Sequence, residues 1–117
     1  MRDFRKLDIW GQSLAFVKTI YELTSTFSAQ ERYGLISQMN RSATSIPSNI
    51  AEGCSRNSLK DFSRFLEFAI GSSFELETQI EIGVSIHYIT KDKYAILIQE
   101  LHILQRRINL LRERLKN

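Results

Sequence analysis

The side chains able to do chemistry are few, and their spacing points away from catalysis. His87 and His102 are the only imidazoles and Cys54 the only thiol. Di-metal helical bundles place a Glu three residues before a His, so that both ligands leave one helix face. Here Glu100 precedes His102 by two, and nothing acidic lies three before His87. No Arg stands four to six residues before either His, the pattern of some helical ribonucleases. Cys54 has no local His to activate it and is expected to fill space near a helix end. No Gly-rich phosphate loop occurs. Glu67, Glu75, Glu77 and Glu81 read as a solvated or partner-facing acidic face. Arg41, Ser45, Ser48 and Glu52, with Asn49 beside them, follow one another at four, three and four residues and suggest a polar network between helices or subunits. The reading is of a non-enzyme, with no cofactor and no metal expected.

One feature that could bind something is a set of cations that only the fold can assemble. The chain of 117 residues carries a net charge of +3, too mild to name a partner by itself. Its distribution is uneven: residues 54–60 and 89–117 are basic, while residues 61–88 are acidic. The length suits one domain. The apolar runs reach only about four residues, where a membrane span needs about twenty and a signal-peptide core about seven, so neither is expected. A lone cysteine and no export signal suggest a reducing cytoplasm.

The elements that must position those cations are helical. Apolar residues recur by threes and fours, and no alternating strand pattern or Asn-Gly turn appears. In a first helix, Trp10, Leu14, Val17 and Tyr21 form one row, with Phe16, Ile20, Leu23 and Phe27 beside it. Ser28 and Glu31 have the form of a capping box opening a second helix. There Leu35, Met39, Ala43, Ile46 and Ile50 share a face, and Gly53 closes the helix. Pro47 lacks an amide and crowds the carbonyl of Ala43, so the second helix is expected to be kinked near Pro47 or broken there. Ser58 and Asp61 open a third helix, with Phe62, Leu66, Ala69, Ser73, Leu76, Ile80, Gly83 and His87 in one row. A fourth begins near Thr90 and carries Tyr94, Leu97, Leu101, Leu104, Ile108, Leu111 and Leu115.

Connections of a few residues make sequential helices antiparallel. The expected architecture is an all-α, up-down-up-down antiparallel four-helix bundle over residues 1–117. Such a bundle gathers the chain start, the second connection and the chain end at one pole. Arg2, Arg5, Lys6, Arg56, Lys60, Arg112, Arg114 and Lys116 then stand together against Asp3, Asp8, Asp61 and Glu113. That pole is a candidate binding surface for RNA or DNA phosphates. A further apolar row (Phe65, Phe68, Ile82 and Ile86 on the third helix; Ile96, Ile103 and Leu110 on the fourth) exceeds what one core needs and suggests self-association. The alternative is a scaffold that docks a protein partner on its acidic third helix.

Several stretches resemble a known family. They are Glu31-Arg32-Tyr33-Gly34-Leu35, Ser45-Ile46-Pro47-Ser48-Asn49-Ile50-Ala51-Glu52-Gly53, Phe65-Leu66-Glu67-Phe68-Ala69 and Gly71-Ser72-Ser73-Phe74-Glu75-Leu76-Glu77-Thr78-Gln79. With Leu7-Asp8-Ile9-Trp10, these are similar to the bacterial four-helix-bundle proteins encoded in intervening sequences of large-subunit ribosomal RNA genes. The resemblance implies a cytoplasmic bundle assembling as a ring-like homopentamer. That family is in turn similar to the accessory protein of diversity-generating retroelements, a basic pentameric bundle that binds nucleic acid and a reverse transcriptase. It supplies no catalytic residue to carry onto this chain.

Overall fold

The computed structural model describes residues 2–116. It contains four helices: α1 (Asp8–Thr24), α2 (Leu35–Cys54), α3 (Leu59–Ser85) and α4 (Lys91–Arg114), with short 3₁₀ turns at Phe4–Lys6 and Ala29–Glu31. The described residues form no strand. Two of the four starts are capped as their sequences dictate. The Ser58 hydroxyl accepts the Asp61 amide at 3.0 Å, and the Thr90 hydroxyl accepts the Lys93 amide at 3.2 Å.

The start of α2 differs from expectation. Ser28 caps only the 3₁₀ turn, accepting the Gln30 amide at 3.3 Å, and the helix begins at Leu35. Glu31 serves that later start through Oε1, which accepts the Leu35 amide at 3.3 Å. The end of α2 differs as well. Gly53 lies buried inside the helix with no positive φ. Its missing side chain is needed for contact instead, because a Cβ there would stand 2.9 Å from Cβ of Phe65. The left-handed residue of the fold is His87 (φ 67°), which ends α3 while the amides of Tyr88 and Ile89 return to the Gly83 carbonyl. His87 is therefore an exposed helix-end residue and not part of the buried row.

The core rows of α2 and α4 follow the spacing read from the sequence. Met39, Ile46 and Ile50 are sealed against Phe62, Leu66, Leu76 and Ile80 of α3 and against Leu101 and Ile108 of α4. On α1 the two apolar rows exchange roles. Ile9, Phe16, Ile20 and Leu23 enter the core, with Phe27 just beyond, whereas Leu14 and Tyr21 remain 43% and 48% exposed. Ser13 occupies a place in the buried row, its hydroxyl donating to the Trp10 carbonyl at 2.7 Å. A polar residue thus interrupts the true seam in the sequence.

Cross-helix bonds fix how the helices lie. Ser42 meets Glu75 and Ser45 meets Ser72, each at 2.8 Å, so α2 and α3 pair in opposite directions. Glu77 meets Gln105 at 2.9 Å and Glu67 meets Arg112 at 3.0 Å, so α3 and α4 do too. Asp8 at the start of α1 reaches Arg107 near the end of α4 at 3.6 Å. The chain is 44 Å long, and one pole holds both tails.

α2 runs through Pro47 without a break in its helix assignment. A bend of its axis there remains an expectation. Side chains bond to carbonyls beside the gap that the proline leaves: Ser48 donates to the Thr44 carbonyl and Asn49 to the Ser45 carbonyl, each at 2.9 Å. The polar line on α2 is smaller than expected. Ser45 bonds across to Ser72 of α3 and Asn49 donates to Ser45 within α2, while Arg41 and Ser48 face outward and Glu52 pairs with Arg56. Ser42, absent from the expected line, makes the bond to Glu75.

Candidate functional site

The chain start is tied to the end of α2. The Arg2 amide donates to the Cys54 carbonyl at 3.0 Å, and its guanidinium donates to the Arg56 carbonyl at 3.1 Å while lying 4.6 Å over the Phe62 ring. Arg56 lies 4.7 Å over Phe65 and pairs with Glu52 at 3.3 Å. Aromatic faces help to hold both guanidinium groups in place, through attraction between cation and ring quadrupole. Asp3 opens the 3₁₀ turn that carries Arg5 and Lys6 by accepting the Arg5 amide at 3.1 Å. Lys60 and Lys116 line one hollow, which joins the start of α3 to the chain end.

The structure therefore brings together cations from all three predicted segments. It also shows that they are not equivalent. Arg112 is 22% exposed and already engaged, bonding Asn109 at 2.8 Å, Glu67 at 3.0 Å and Glu113 at 3.3 Å. Lys116 pairs with Glu113 at 3.3 Å. Arg2, Arg5, Lys6, Lys60 and Arg114 have no carboxylate partner among the described residues. Glu52 and Glu67 belong to this end as well, which the sequence reading missed. Each faces a cation separated from it in space only by a helix turn or a helix–helix seam.

The groups that could have done covalent or acid–base work are placed otherwise. Cys54 is buried, and loss of hydration pushes its thiol up; the nearby Arg2 charge offsets this only in part. Burial alone would raise the Glu77 carboxyl, but hydrogen bonds from His102 and Gln105 outweigh that and hold it below its ordinary value of 4.5. A carboxylate held low stabilises the fold above its unfolded-state value, and this stabilisation fades as pH falls through the lowered folded-state value. Glu77→Gln should therefore lower the unfolding free energy measured in urea at pH 7, by about 0.5–1 kcal/mol for a partly exposed pair. The gap to the parent protein should narrow in strong acid; an equal gap at both pH values would show that the carboxylate charge is not what α4 uses. Among the described residues, no three His, Cys, Asp or Glu side chains gather closely enough to hold a metal ion. No described helix is long and apolar enough to cross a membrane.

Along the α3–α4 seam two hollows open beside the pole. The first, of about 530 Å³, includes Arg64 and Phe68; the second, of about 660 Å³, includes Phe74, His102 and Arg106. Phe74 and Arg64 escaped the sequence reading as site residues, although Phe74 stands off the buried row, a signal that was available.

What the fold and this end define is a four-helix bundle protein with cations of three chain segments at one end. Comparison with known proteins narrows the class: the family model described as "23S rRNA-intervening sequence protein" matches residues 5–110, and the chain belongs to that family. It is also similar to a crystal structure from Bacteroides thetaiotaomicron, described as a protein of unknown function from the S23 ribosomal protein family. The two share 26% identity at a TM-score of 0.81, over 88% of this chain and 96% of the other. No curated protein matches the chain.

Proposed function

We propose that this chain is a non-enzymatic, cytoplasmic bundle that assembles with copies of itself as a pentamer and holds RNA or DNA phosphates at its basic pole. The observation that supports the phosphate reading is that Arg2 is bonded beside Arg56 and Lys60 shares a hollow with Lys116, while Arg2, Arg5, Lys6, Lys60 and Arg114 of these three segments have no carboxylate partner among the described residues. Such cations displace condensed counterions from a polynucleotide, which gives affinity with little base preference. The family description places these proteins in the setting of 23S rRNA intervening sequences, which agrees with that chemistry. Self-assembly is supported by apolar side chains left in water. Ile96, Ile103 and Leu110, every seventh residue of α4, are 61%, 41% and 53% exposed.

The scaffold alternative is less well supported. Glu67, Glu75 and Glu77 of the acidic face are each bonded within the chain, to Arg112, Ser42 and the His102–Gln105 pair.

Filter binding of a structured RNA across a salt series tests the phosphate reading. Affinity should fall steeply with salt. Changing Arg5, Lys6, Lys60 and Arg114 together to Gln should flatten the log–log slope by about one per lost contact. Arg112 is left intact because its bonds are structural. No retention at low salt, or an unchanged slope, would overturn the proposal. Sedimentation should give a mass several times 13.6 kDa; a monomer at micromolar concentration would remove the assembly.

A further inference from the structure

The two hollows on the α3–α4 side adjoin, since Glu67 stands in the wall of both. They make one furrow that starts at the basic pole between Lys60, Arg64, Phe68 and Lys116 and continues past Phe74 and Arg106. Phe68 meets Phe65 edge-on at 5.4 Å and carries the Arg64 guanidinium 5.6 Å from its ring centre, so a base stacking there would displace Arg64 toward the phosphates. Two features of the furrow remain beyond what the core requires. Phe68 and Phe74 are 44% and 59% exposed, and the core does not need their outer faces. Lys60, Arg64 and Arg106 have no carboxylate partner among the described residues. Of the two acids that line the furrow, Glu67 is paired with Arg112 at 3.0 Å, while Asp61, next to Lys60 in sequence, makes no ion pair among the described residues and leaves the cations in excess.

Aromatic faces interleaved with unpaired cations hold single-stranded nucleic acid. Every base has a π-face that can stack on a ring, and the cations follow the backbone. A duplex keeps its bases stacked inside and can use only the cations. Six residues of helix, about 9 Å of rise, separate Phe68 from Phe74, so the rings would take separate bases. We propose that this furrow binds a single strand, with bases stacked on Phe68 and Phe74 and phosphates at Lys60, Arg64 and Arg106. The inference rests on the reading of the pole as a phosphate surface, because the strand enters the furrow there.

Fluorescence anisotropy with labelled oligouridylate and oligothymidylate, beside a duplex of equal length, tests it on the full chain. Phe74→Ala and Phe68→Ala replace exposed rings, and circular dichroism checks that each variant is folded. Each should weaken single-strand binding about tenfold and leave duplex binding unchanged; Phe74→Tyr, which keeps a ring, should bind like the parent. Equal loss for strand and duplex, or no loss from Phe74→Ala, overturns the furrow. So does a drop in sedimentation mass in Phe74→Ala, which would make the furrow a contact between copies of the chain. Parent protein that binds duplex but not single strands removes the furrow and leaves the pole standing. If no polynucleotide binds at low salt, the pole reading falls with it.

Discussion

Replacing Phe62 with alanine should cost the fold about 3–5 kcal/mol, which lowers the melting temperature by roughly 10–25 °C. The ring is 2% exposed and has two neighbours that cannot follow it into the space it leaves. One is Gly53, whose hydrogen-only face is packed against the Phe62 ring and carbonyl. The other is the Arg2 guanidinium, which rests 4.6 Å above the ring and is held to the carbonyl of Arg56. Truncation therefore opens a cavity with a charge at its mouth, in a place the surroundings fill poorly. Differential scanning calorimetry of the parent, Phe62→Ala and the exposed Phe74→Ala makes the comparison. The second substitution should move the transition little, and a loss in Phe62→Ala as small as that would show that the ring does not hold the α2–α3 corner. The same variant should loosen the chain start, so the phosphate binding proposed for the pole should weaken beyond what the intact cations predict.

How much of this was legible in the sequence depends on which residues carried the signal. The helices were plain, because Leu97, Leu101, Leu104 and Ile108 repeat without interruption and every one of them is buried. The buried face of α1 was not, because two apolar rows run side by side and the one that enters the core is interrupted by Ser13. Only packing against α2 and α4 decides between them. The convergence of cations could be reasoned from short connections, yet their pairing could not. Glu67 meets Arg112 from 45 positions away and Glu52 meets Arg56 from four. Only the second separation is visible as a helix spacing. Gly53 and His87 show the same limit in backbone terms. Glycine is the usual left-handed residue after a helix, so Gly53 looked like a terminus, but α3 presses on it and α2 ends on a right-handed Ser55, whereas a left-handed residue, His87, ends α3. Close approach of two helices leaves no periodic mark in either one.

That close approach makes the sign of one substitution a test of the bundle. Gly→Ala inside an exposed helix gains about 1 kcal/mol, because alanine loses less backbone entropy on folding. Gly71, on the outer face of α3, has nothing within 4 Å of the place an alanine methyl would take, so Gly71→Ala should stabilise by about 0.5–1 kcal/mol. At Gly53 the added carbon would stand 2.9 Å from Cβ of Phe65 and 3.0 Å from the Phe62 ring. A Cβ cannot swing aside as a side-chain end can, so α2 and α3 must move apart, and overpacking of this kind costs about 1–3 kcal/mol. Gly53→Ala should therefore destabilise in spite of its better helix propensity. Gly83→Ala falls between them: its nearest neighbour, at 2.6 Å, is the tip of Ile89, which can rotate. Urea unfolding of the three variants should rank them Gly71, Gly83, Gly53 from most to least stable. Gains of equal size at Gly71 and Gly53 would mean that the two helices do not touch there. The carbonyl next to Gly53, on Cys54, accepts the Arg2 amide, so a shift of α2 also moves the chain start and the cations it carries.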